Sequence, residues 1–213
     1  MSEVILYDFW RSSAAYRVRI VLNLKGVDYR SVPVNIATGE QFAAEFAALN
    51  PQRLVPALAI DGLLLTQSLA IIDYLDANHK DPPMVSSDPA TRARTLAQAL
   101  VIAADIHPLN NLRVLNYLRG ELGQDEAAVA TWYRHWIAEG LGALEAQAPA
   151  DGLFGGDRPN MADVCLVPQL ANARRFDQPL EAYPQLLRID EQLRALPAIA
   201  AAAPDAVAAA AKK

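Results

Sequence analysis

The chain has 213 residues, of which 53% are hydrophobic and 20% are charged, and this composition indicates a globular protein. Its formal net charge of −5 argues against an overall attraction to nucleic acid or to an anionic membrane. A single cysteine, Cys165, excludes a disulfide within the chain, and the three histidines lack the spacing of metal ligands. Because no signal-peptide pattern and no apolar run of roughly 18 residues occurs, we expect a cytoplasmic protein. We also expect that it binds no metal, membrane or nucleic acid.

Residues 1–80 alternate between strand-like and helix-like patterns. The patterns predict, in chain order, β 4–7, α 13–25, β 29–35, α 41–48, β 57–60, β 63–66 and α 68–78. Asp61-Gly62, which separates two apolar runs, is typical of a hairpin turn. The chain therefore begins with a βαβαββα unit, which is an α/β fold.

A change of pattern follows this unit. Residues 81–89 contain three prolines together with serine and aspartate, a composition typical of a linker. Helical periodicity then runs through about 90–119, 125–147, 161–175 and 184–196. We therefore predict an α/β domain over 1–80, a linker over 81–89 and an all-α domain over 90–213. Asn160, three residues before Asp163, predicts a structural capping box at one of these helix starts.

Two serines, Ser12 and Ser13, stand where the first predicted strand gives way to a helix. Backbone N–H groups at a helix N-terminus favour an anion, and a serine hydroxyl that donates to a thiolate lowers the thiol pKa. Serine is also a common N-cap residue, and the spacing alone favours the cap. The two interpretations both stand at this point.

Two other short segments that could bind a ligand stand at the start of a predicted strand or helix. A cis peptide bond at Val55-Pro56 would leave the Val55 backbone N–H and C=O for an extended ligand. Gln67 and Ser68 open a predicted helix, a start that suits a ligand carboxylate or is simply another cap. All three segments are expected at the same edge of the α/β domain.

These segments resemble the zeta class of glutathione transferases, whose members include maleylacetoacetate and maleylpyruvate isomerases. The resemblance runs from about residue 4 to residue 204, and its motifs are RSS at 11–13, YRVRI at 16–20, LKG at 24–26, GEQF at 39–42, LNP at 49–51, VPAL at 55–58, QSLAII at 67–72, PLNN at 108–111, MADVCLVPQ at 161–169 and NARRF at 172–176. The class usually reads Ser-Ser-Cys in the serine turn, whereas this chain has Ala14 as the third residue.

The resemblance implies a glutathione transferase fold, with a thioredoxin-like domain that binds glutathione, an α-helical domain that completes the substrate site, and a homodimer. Ser12 would lie closest to the glutathione sulfur, with Ser13 beside it. The other implied contacts to glutathione are Gln41 at the glycyl end, the Val55 backbone with Pro56 at the cysteinyl part, and Gln67 and Ser68 at the γ-glutamyl carboxylate. His107 and Asn111, four apart on one predicted helical face, would reach the cleft from the second domain.

The activity implied by the resemblance is a glutathione-dependent cis–trans isomerisation of maleylacetoacetate to fumarylacetoacetate. Addition of a thiolate makes the cis double bond single, and rotation and elimination then give the trans isomer and return glutathione. The substrate is a small dianionic cis-enoic acid, so fixed cations are expected, and the resemblance assigns them to Arg11 and Arg175. Arg17, Arg19 and Arg113 are expected in surface or interdomain pairs.

Three alternatives remain open at this stage. The substrate of a maleylpyruvate isomerase differs in its tail, and Leu112, where some such relatives carry arginine, favours maleylacetoacetate. A general zeta-class transferase acting on haloacids would use the same activated thiol. A transferase-fold interaction module without turnover is the alternative that is not an enzyme. The chain keeps the residues that such modules commonly lose, which are Ser12, Val55, Pro56, Gln67 and Ser68.

Overall fold

The computed structural model describes residues 3–210, which divide into two units. Of these residues, those up to Met84 and those from Ala195 onward form the first unit, and Val85–Arg194 forms the second. The first boundary falls inside the predicted linker. The C-terminal segment, which we predicted in the second domain, instead packs with the first unit, where its helix Pro197–Ala201 contacts the helix Ser13–Leu24.

The first unit is built on a four-stranded sheet in the order β2-β1-β3-β4. Its strands are β1 (Ile5–Asp8), β2 (Arg30–Pro33), β3 (Ala57–Ile60) and β4 (Leu63–Thr66). Strand β1 is parallel to β2 and antiparallel to β3, and β3 and β4 form an antiparallel hairpin. The helices of this unit are α1 (Ser13–Leu24), α2 (Ala44–Leu49), α3 (Ser68–Asn78), α9 (Pro197–Ala201) and α10 (Pro204–Ala210).

The predicted βαβαββα order is confirmed, with one helix divided. The predicted helix at 41–48 is a short 3-10 turn, Glu40–Phe42, followed by α2, because Ala43 between them has an extended backbone. The Asp61-Gly62 turn has positive φ at both residues, as a two-residue hairpin loop with right-handed twist requires.

Helix α1 lies in the core of the first unit, where it contacts α3 and α9. Every residue from Ala14 to Leu22 is buried, including Arg17 and Arg19. The expectation of surface or interdomain pairs is therefore wrong for these two arginines, whose partners Ser68 and Asp8 lie in the same unit, whereas Arg113 is exposed. Arg19 forms an ion pair with buried Asp8 at 2.7 Å. Burial raises the pKa of Asp8, and the charge of Arg19 opposes this rise.

The second unit is helical. Its helices are α4 (Pro89–Leu100), α5 (Leu112–Gly120), α6 (Glu126–Glu145), α7 (Met161–Arg175) and α8 (Pro184–Arg194), with a π-helical segment at Val101–Ile106 after α4. Helix α7 packs against α4 and α8, and its first ten residues are all buried. The predicted capping box of Asn160 and Asp163 is confirmed at its start. Within residues 3–210, no helix has the length and apolar character needed to cross a membrane.

The prediction of one helix over residues 90–119 is wrong. Helix α4 runs into the π-helical segment, a turn follows, and α5 begins at Leu112. Pro108 cannot donate a helical hydrogen bond, which ends the helix there. Gly140 of α6 lets the Ile106 side chain approach its backbone so closely that a Cβ would overlap it. Because the helix ends before Pro108 and α5 begins only at Leu112, His107 and Asn111 do not share a helical face.

Candidate active site

The serine turn joins β1 to α1. Its backbone closes through a hydrogen bond from the Ser12 N–H to the Phe9 carbonyl at 2.8 Å. Ser12 is the N-cap of α1, and its Oγ accepts from the Ala15 N–H at 3.3 Å, near the upper limit for such a bond. Ser12 and Ser13 are both half-buried. Because a hydroxyl that accepts one hydrogen bond still has its own hydrogen, Ser12 remains able to donate to an anion in front of the helix.

Arg11 adds a positive charge to the same turn. Its side chain is exposed, and its Cζ lies 5.8 Å from the ring centre of Phe9 and 5.5 Å from that of Trp10. Contacts of this kind restrict an otherwise mobile guanidinium without covering it. The turn therefore presents a hydroxyl, a helix N-terminus and an accessible guanidinium within three residues.

The Val55 loop precedes β3. The Val55-Pro56 peptide bond is cis, and Val55 is 9% exposed. Among residues 3–210, neither the N–H nor the C=O of Val55 has a hydrogen-bond partner. The side chain of Asn50 shapes the loop, since it donates to the Leu54 carbonyl at 2.8 Å and accepts from the Gln52 N–H at 3.0 Å. A backbone N–H and C=O without protein partners are available to an extended ligand.

An apolar cluster connects the Val55 loop with the serine turn. Phe9 of the turn and Val55 of the loop are buried in one cluster with Val34 and Phe46. The two segments that were predicted at one edge of the domain are therefore in the same part of the first unit.

The start of α3 is the third predicted segment. Ser68 is its first residue, is 6% exposed, and accepts from Nη1 of buried Arg17 at 3.2 Å. Gln67 before it is exposed, has a φ of 68°, and donates to the Gln52 side chain at 3.0 Å. A helix N-terminus backed by a buried guanidinium favours a ligand carboxylate. Strained backbone such as that of Gln67 is concentrated at ligand sites.

Gln41 lies in the 3-10 turn of the first unit. Its side chain is buried, with 7% exposure, and its Oε1 has no hydrogen-bond partner among the described residues. A buried polar atom without a partner is uncommon in proteins and is destabilising. A ligand N–H at this position would satisfy it.

Arg175 lies in the second unit, as the last residue of α7. Its Cζ is 4.9 Å from the ring centre of Phe176, and that ring stacks on Tyr133 with the centroids 3.7 Å apart. The Tyr133 hydroxyl donates to Oδ1 of Asn172 at 2.7 Å. Burial raises the pKa of Tyr133, while hydrogen bonding to Asn172 and Arg175 opposes the rise. An aromatic pair therefore supports an exposed guanidinium.

His107 and Asn111 begin and end the turn between the π-helical segment and α5. Both are half-buried, and Asn111 is the N-cap of α5, where it accepts from the Arg113 N–H at 3.1 Å. Asn110 of this turn donates to the Tyr133 carbonyl at 3.1 Å. Tyr133 is thus common to this turn and to the support of Arg175.

Sequence reasoning missed two groups of residues, one in each unit. The first is the buried pair of Asp8 and Arg19, and the second is Tyr133 with Asn172. The first pair had no local signal, because the burial of Arg19 depends on the elements that pack around α1. No local pattern distinguishes Tyr133, since its position depends on the packing of α6 against other helices.

Comparison with known proteins gives consistent results for both halves of the chain. Residues 2–77 match the family model of the glutathione S-transferase N-terminal domain, and residues 126–202 match that of the C-terminal domain. A probable maleylacetoacetate isomerase of Vibrio cholerae is 50% identical over 209 residues, which cover 96% of this chain and 97% of that protein.

Two solved structures are also similar. One is a holo maleylpyruvate isomerase, a bacterial glutathione S-transferase of the zeta class, with a TM-score of 0.92 and 44% identity over 95% of this chain and 97% of that one. The other is a maleylacetoacetate isomerase from Methylobacterium extorquens AM1 with bound malonate and GSH, with a TM-score of 0.91 and 39% identity over 95% and 97% of the two chains.

Proposed function

The chain belongs to the glutathione S-transferase family, in its zeta class, and we propose that it is a glutathione-dependent isomerase that converts maleylacetoacetate to fumarylacetoacetate. The observation that carries this proposal is the pairing of two features in one apolar cluster. These are the serine turn at a helix start and the Val55 backbone, which has no partner within residues 3–210. We assign glutathione to the first unit, and the substrate carboxylates to Arg11 of that unit and Arg175 of the second.

The residues of the first unit fit glutathione in chemistry. The Val55 backbone, next to Pro56, would pair with the cysteinyl part, which is a peptide unit with one donor and one acceptor. Gln67 and Ser68 would hold the γ-glutamyl carboxylate at the start of α3, where Arg17 adds positive charge. The Gln41 Oε1, which has no partner among the described residues, would accept from the glycyl end.

Glutathione, when bound, supplies the thiol that acts as the nucleophile. Ser12 donates its hydroxyl hydrogen to the sulfur, with Ser13 beside it, and the N–H groups of α1 favour negative charge there, so the thiol pKa falls. Ala14, in the position that is usually cysteine, adds no second thiol and removes neither effect. The contact of His107 and Asn111 with glutathione stays a prediction.

Arg11 and Arg175 are the proposed partners of the substrate carboxylates. Guanidinium groups bind carboxylates through two parallel hydrogen bonds, and both side chains are exposed and held beside aromatic rings. The Methylobacterium relative contains malonate, a dicarboxylate, together with GSH, which supports a dianion site in this family. We also propose a homodimer that acts in the cytoplasm, which sedimentation equilibrium and cell fractionation would test.

The decisive experiment compares kcat/KM for maleylacetoacetate and for maleylpyruvate at saturating glutathione. The proposal expects turnover of both and a higher value for maleylacetoacetate. A higher value for maleylpyruvate would correct the substrate and keep the isomerase, since the similarity to a maleylpyruvate isomerase supports that second candidate. Failure on both substrates would reject the isomerase, and turnover of haloacids would then support a general transferase.

Neighbouring arginines of α7 provide a matched test of the substrate site. Arg175→Ala is expected to raise the KM for maleylacetoacetate by about 10- to 100-fold and to leave the Kd for glutathione unchanged. Arg174→Ala is the control, because Arg174 pairs with Asp190 at 2.6 Å. Equal losses for both ligands in Arg175→Ala would indicate a folding defect and reject the assignment.

A further inference from the structure

Buried Arg19 joins three segments of the first unit. Its Nη1 donates to both carboxylate oxygens of Asp8, at 2.7 and 2.8 Å. Its Nη2 donates to the Trp10 carbonyl at 2.9 Å, and its Nε donates to the Ala202 carbonyl at 3.0 Å. One guanidinium therefore connects the end of β1, the turn before Ser12 and the C-terminal segment, residues 195–210.

Helix α1 makes a second contact with the same C-terminal segment. Asn23, one helical turn beyond Arg19, donates through Nδ2 to the Ala198 carbonyl at 2.9 Å. Helix α9 has five residues, so its carbonyls have few partners within the helix and accept from α1 instead. The positive charge of Arg19 is favourable at the C-terminal end of α9, because the carbonyl groups there carry partial negative charge.

The position of Arg19 requires a planar fork of donors. Arg19 is 0% exposed, and a charge in such a position is destabilising unless its hydrogen bonds are made. An apolar side chain would fill the space but would leave the carbonyls of Trp10 and Ala202 without this donor. A lysine ammonium is a single point at the end of a flexible stem and does not span acceptors on three segments.

We propose, on the basis of the function proposed above, that the C-terminal segment sets the position of Ser12 through Arg19, which makes Arg19 a positioning residue for the glutathione thiol. The Trp10 carbonyl lies two residues before Ser12, and the Ser12 N–H is bonded to Phe9, so this turn moves as one piece. A misplacement of about 1 Å near a reacting group is enough to lower a rate by about 100-fold.

The test compares the wild-type chain with Arg19→Lys, Ile199→Ala and Ile189→Ala. Ile199 lies in α9 and Ile189 in α8, and both are fully buried, so the two isoleucine variants lose the same atoms. Ile199→Ala alone loosens the C-terminal segment. The ionised fraction of bound glutathione is measured from thiolate ultraviolet absorbance, and affinity is measured with S-methylglutathione, which has no thiol.

Arg19→Lys is expected to lower the ionised fraction at pH 7 by about tenfold, and Ile199→Ala by about threefold. Both are expected to bind S-methylglutathione within about twofold of wild type, because that affinity comes mainly from the other subsites. Ile189→Ala is expected to lower the melting temperature and to keep the wild-type ionised fraction. If Arg19→Lys does not fold, the ionised fractions of bound glutathione in Ile199→Ala and Ile189→Ala test the proposal without it.

Two results would overturn the positioning role of Arg19 and leave the proposed function standing. One is a wild-type ionised fraction in both Arg19→Lys and Ile199→Ala, and the other is an equal loss in Ile189→Ala. A wild-type chain that binds neither glutathione nor S-methylglutathione would instead overturn the proposed function, and the role of Arg19 with it.

Discussion

Helices α1 and α7 both begin with a polar cap, but the two caps differ in how fully their hydrogen bonds are made. At α7, the Asn160 side chain accepts from the N–H groups of Ala162 and Asp163 at 2.8 and 3.2 Å. The buried Asp163 carboxylate accepts from the N–H groups of Phe154, Gly155 and Asn160 at 2.9 to 3.0 Å. This start leaves little capacity for a ligand.

The start of α1 is less complete. Ser12 accepts a single bond at 3.3 Å among the described residues, and its side chain is half-buried. A polar residue at a helix start therefore does not by itself distinguish a cap from a ligand site. Burial and the number of bonds distinguish them, because a saturated buried cap stabilises the helix, whereas a loosely bonded accessible one can also meet an anion.

The largest expected effect concerns the saturated cap. Asp163→Ala leaves three backbone N–H groups without their acceptor, and we expect it to lower the free energy of unfolding by about 3 to 4 kcal/mol. Asp125→Ala is the matched control, because Asp125 caps α6 through one exposed bond and its loss costs about 1 kcal/mol. Urea unfolding measures both, and equal losses would remove the distinction between the two kinds of cap.

The saturated cap also predicts a pH dependence. Burial raises the pKa of Asp163 from 3.8 to about 6, so the folded protein keeps this proton over a range in which the unfolded chain has lost it. The contribution is complete below about pH 4 and is lost as the pH rises to about 6, a change of about 3 kcal/mol. Unfolding of wild type and Asp163→Asn across this range measures it, and parallel pH curves would contradict it.

Ser12→Ala tests the incomplete cap. We expect kcat to fall by about 100-fold, more than the KM for glutathione rises, because the hydroxyl acts on the thiolate more than on overall binding. The free energy of unfolding is expected to change by less than about 1 kcal/mol, since the bond that is lost is long. Steady-state kinetics and urea unfolding measure the two effects. An unchanged kcat would reject Ser12 as the thiol-site residue.

Ala14→Cys is expected to have the smallest effect. Ala14 is buried in the first turn of α1, and a cysteine adds one atom, so kcat is expected to stay within about threefold of wild type. The introduced thiol lies at a helix N-terminus, which lowers its pKa, and position 14 is 9% exposed whereas Cys165 is 0% exposed, so we expect only the introduced thiol to be alkylated. Iodoacetamide inactivation measures this, with the wild-type chain as control, because its Cys165 is buried. Equal inactivation rates would contradict the expectation.

Much of the fold follows from local sequence signals. Asp61-Gly62 predicted the hairpin, and Asn160 with Asp163 predicted the start of α7, because in both cases the residues that decide the structure are neighbours in the chain. The break at Pro108 was also locally signalled, although the helical period around it suggested continuity. The docking of the C-terminal segment had no local signal, because its partner on α1 lies more than 170 residues away.

The candidate site shows the same division. The serine turn, the Val55 loop and the start of α3 could be predicted as segments, since each is a short motif beside a strand or helix. The burial of Arg19 could not, because whether an arginine pairs with Asp8 in a core depends on elements that pack on every side of α1. The stacking that supports Arg175 likewise depends on the meeting of α6 and α7.

The docking of residues from Ala195 onward onto the first unit has a consequence for synthesis in the cell. A ribosome adds Arg19 to the chain 183 residues before Ala202, whose carbonyl Arg19 binds. At roughly 5 to 20 residues per second, the delay is on the order of ten seconds. The first unit, although it leads the sequence, is therefore completed only after the second has been synthesised.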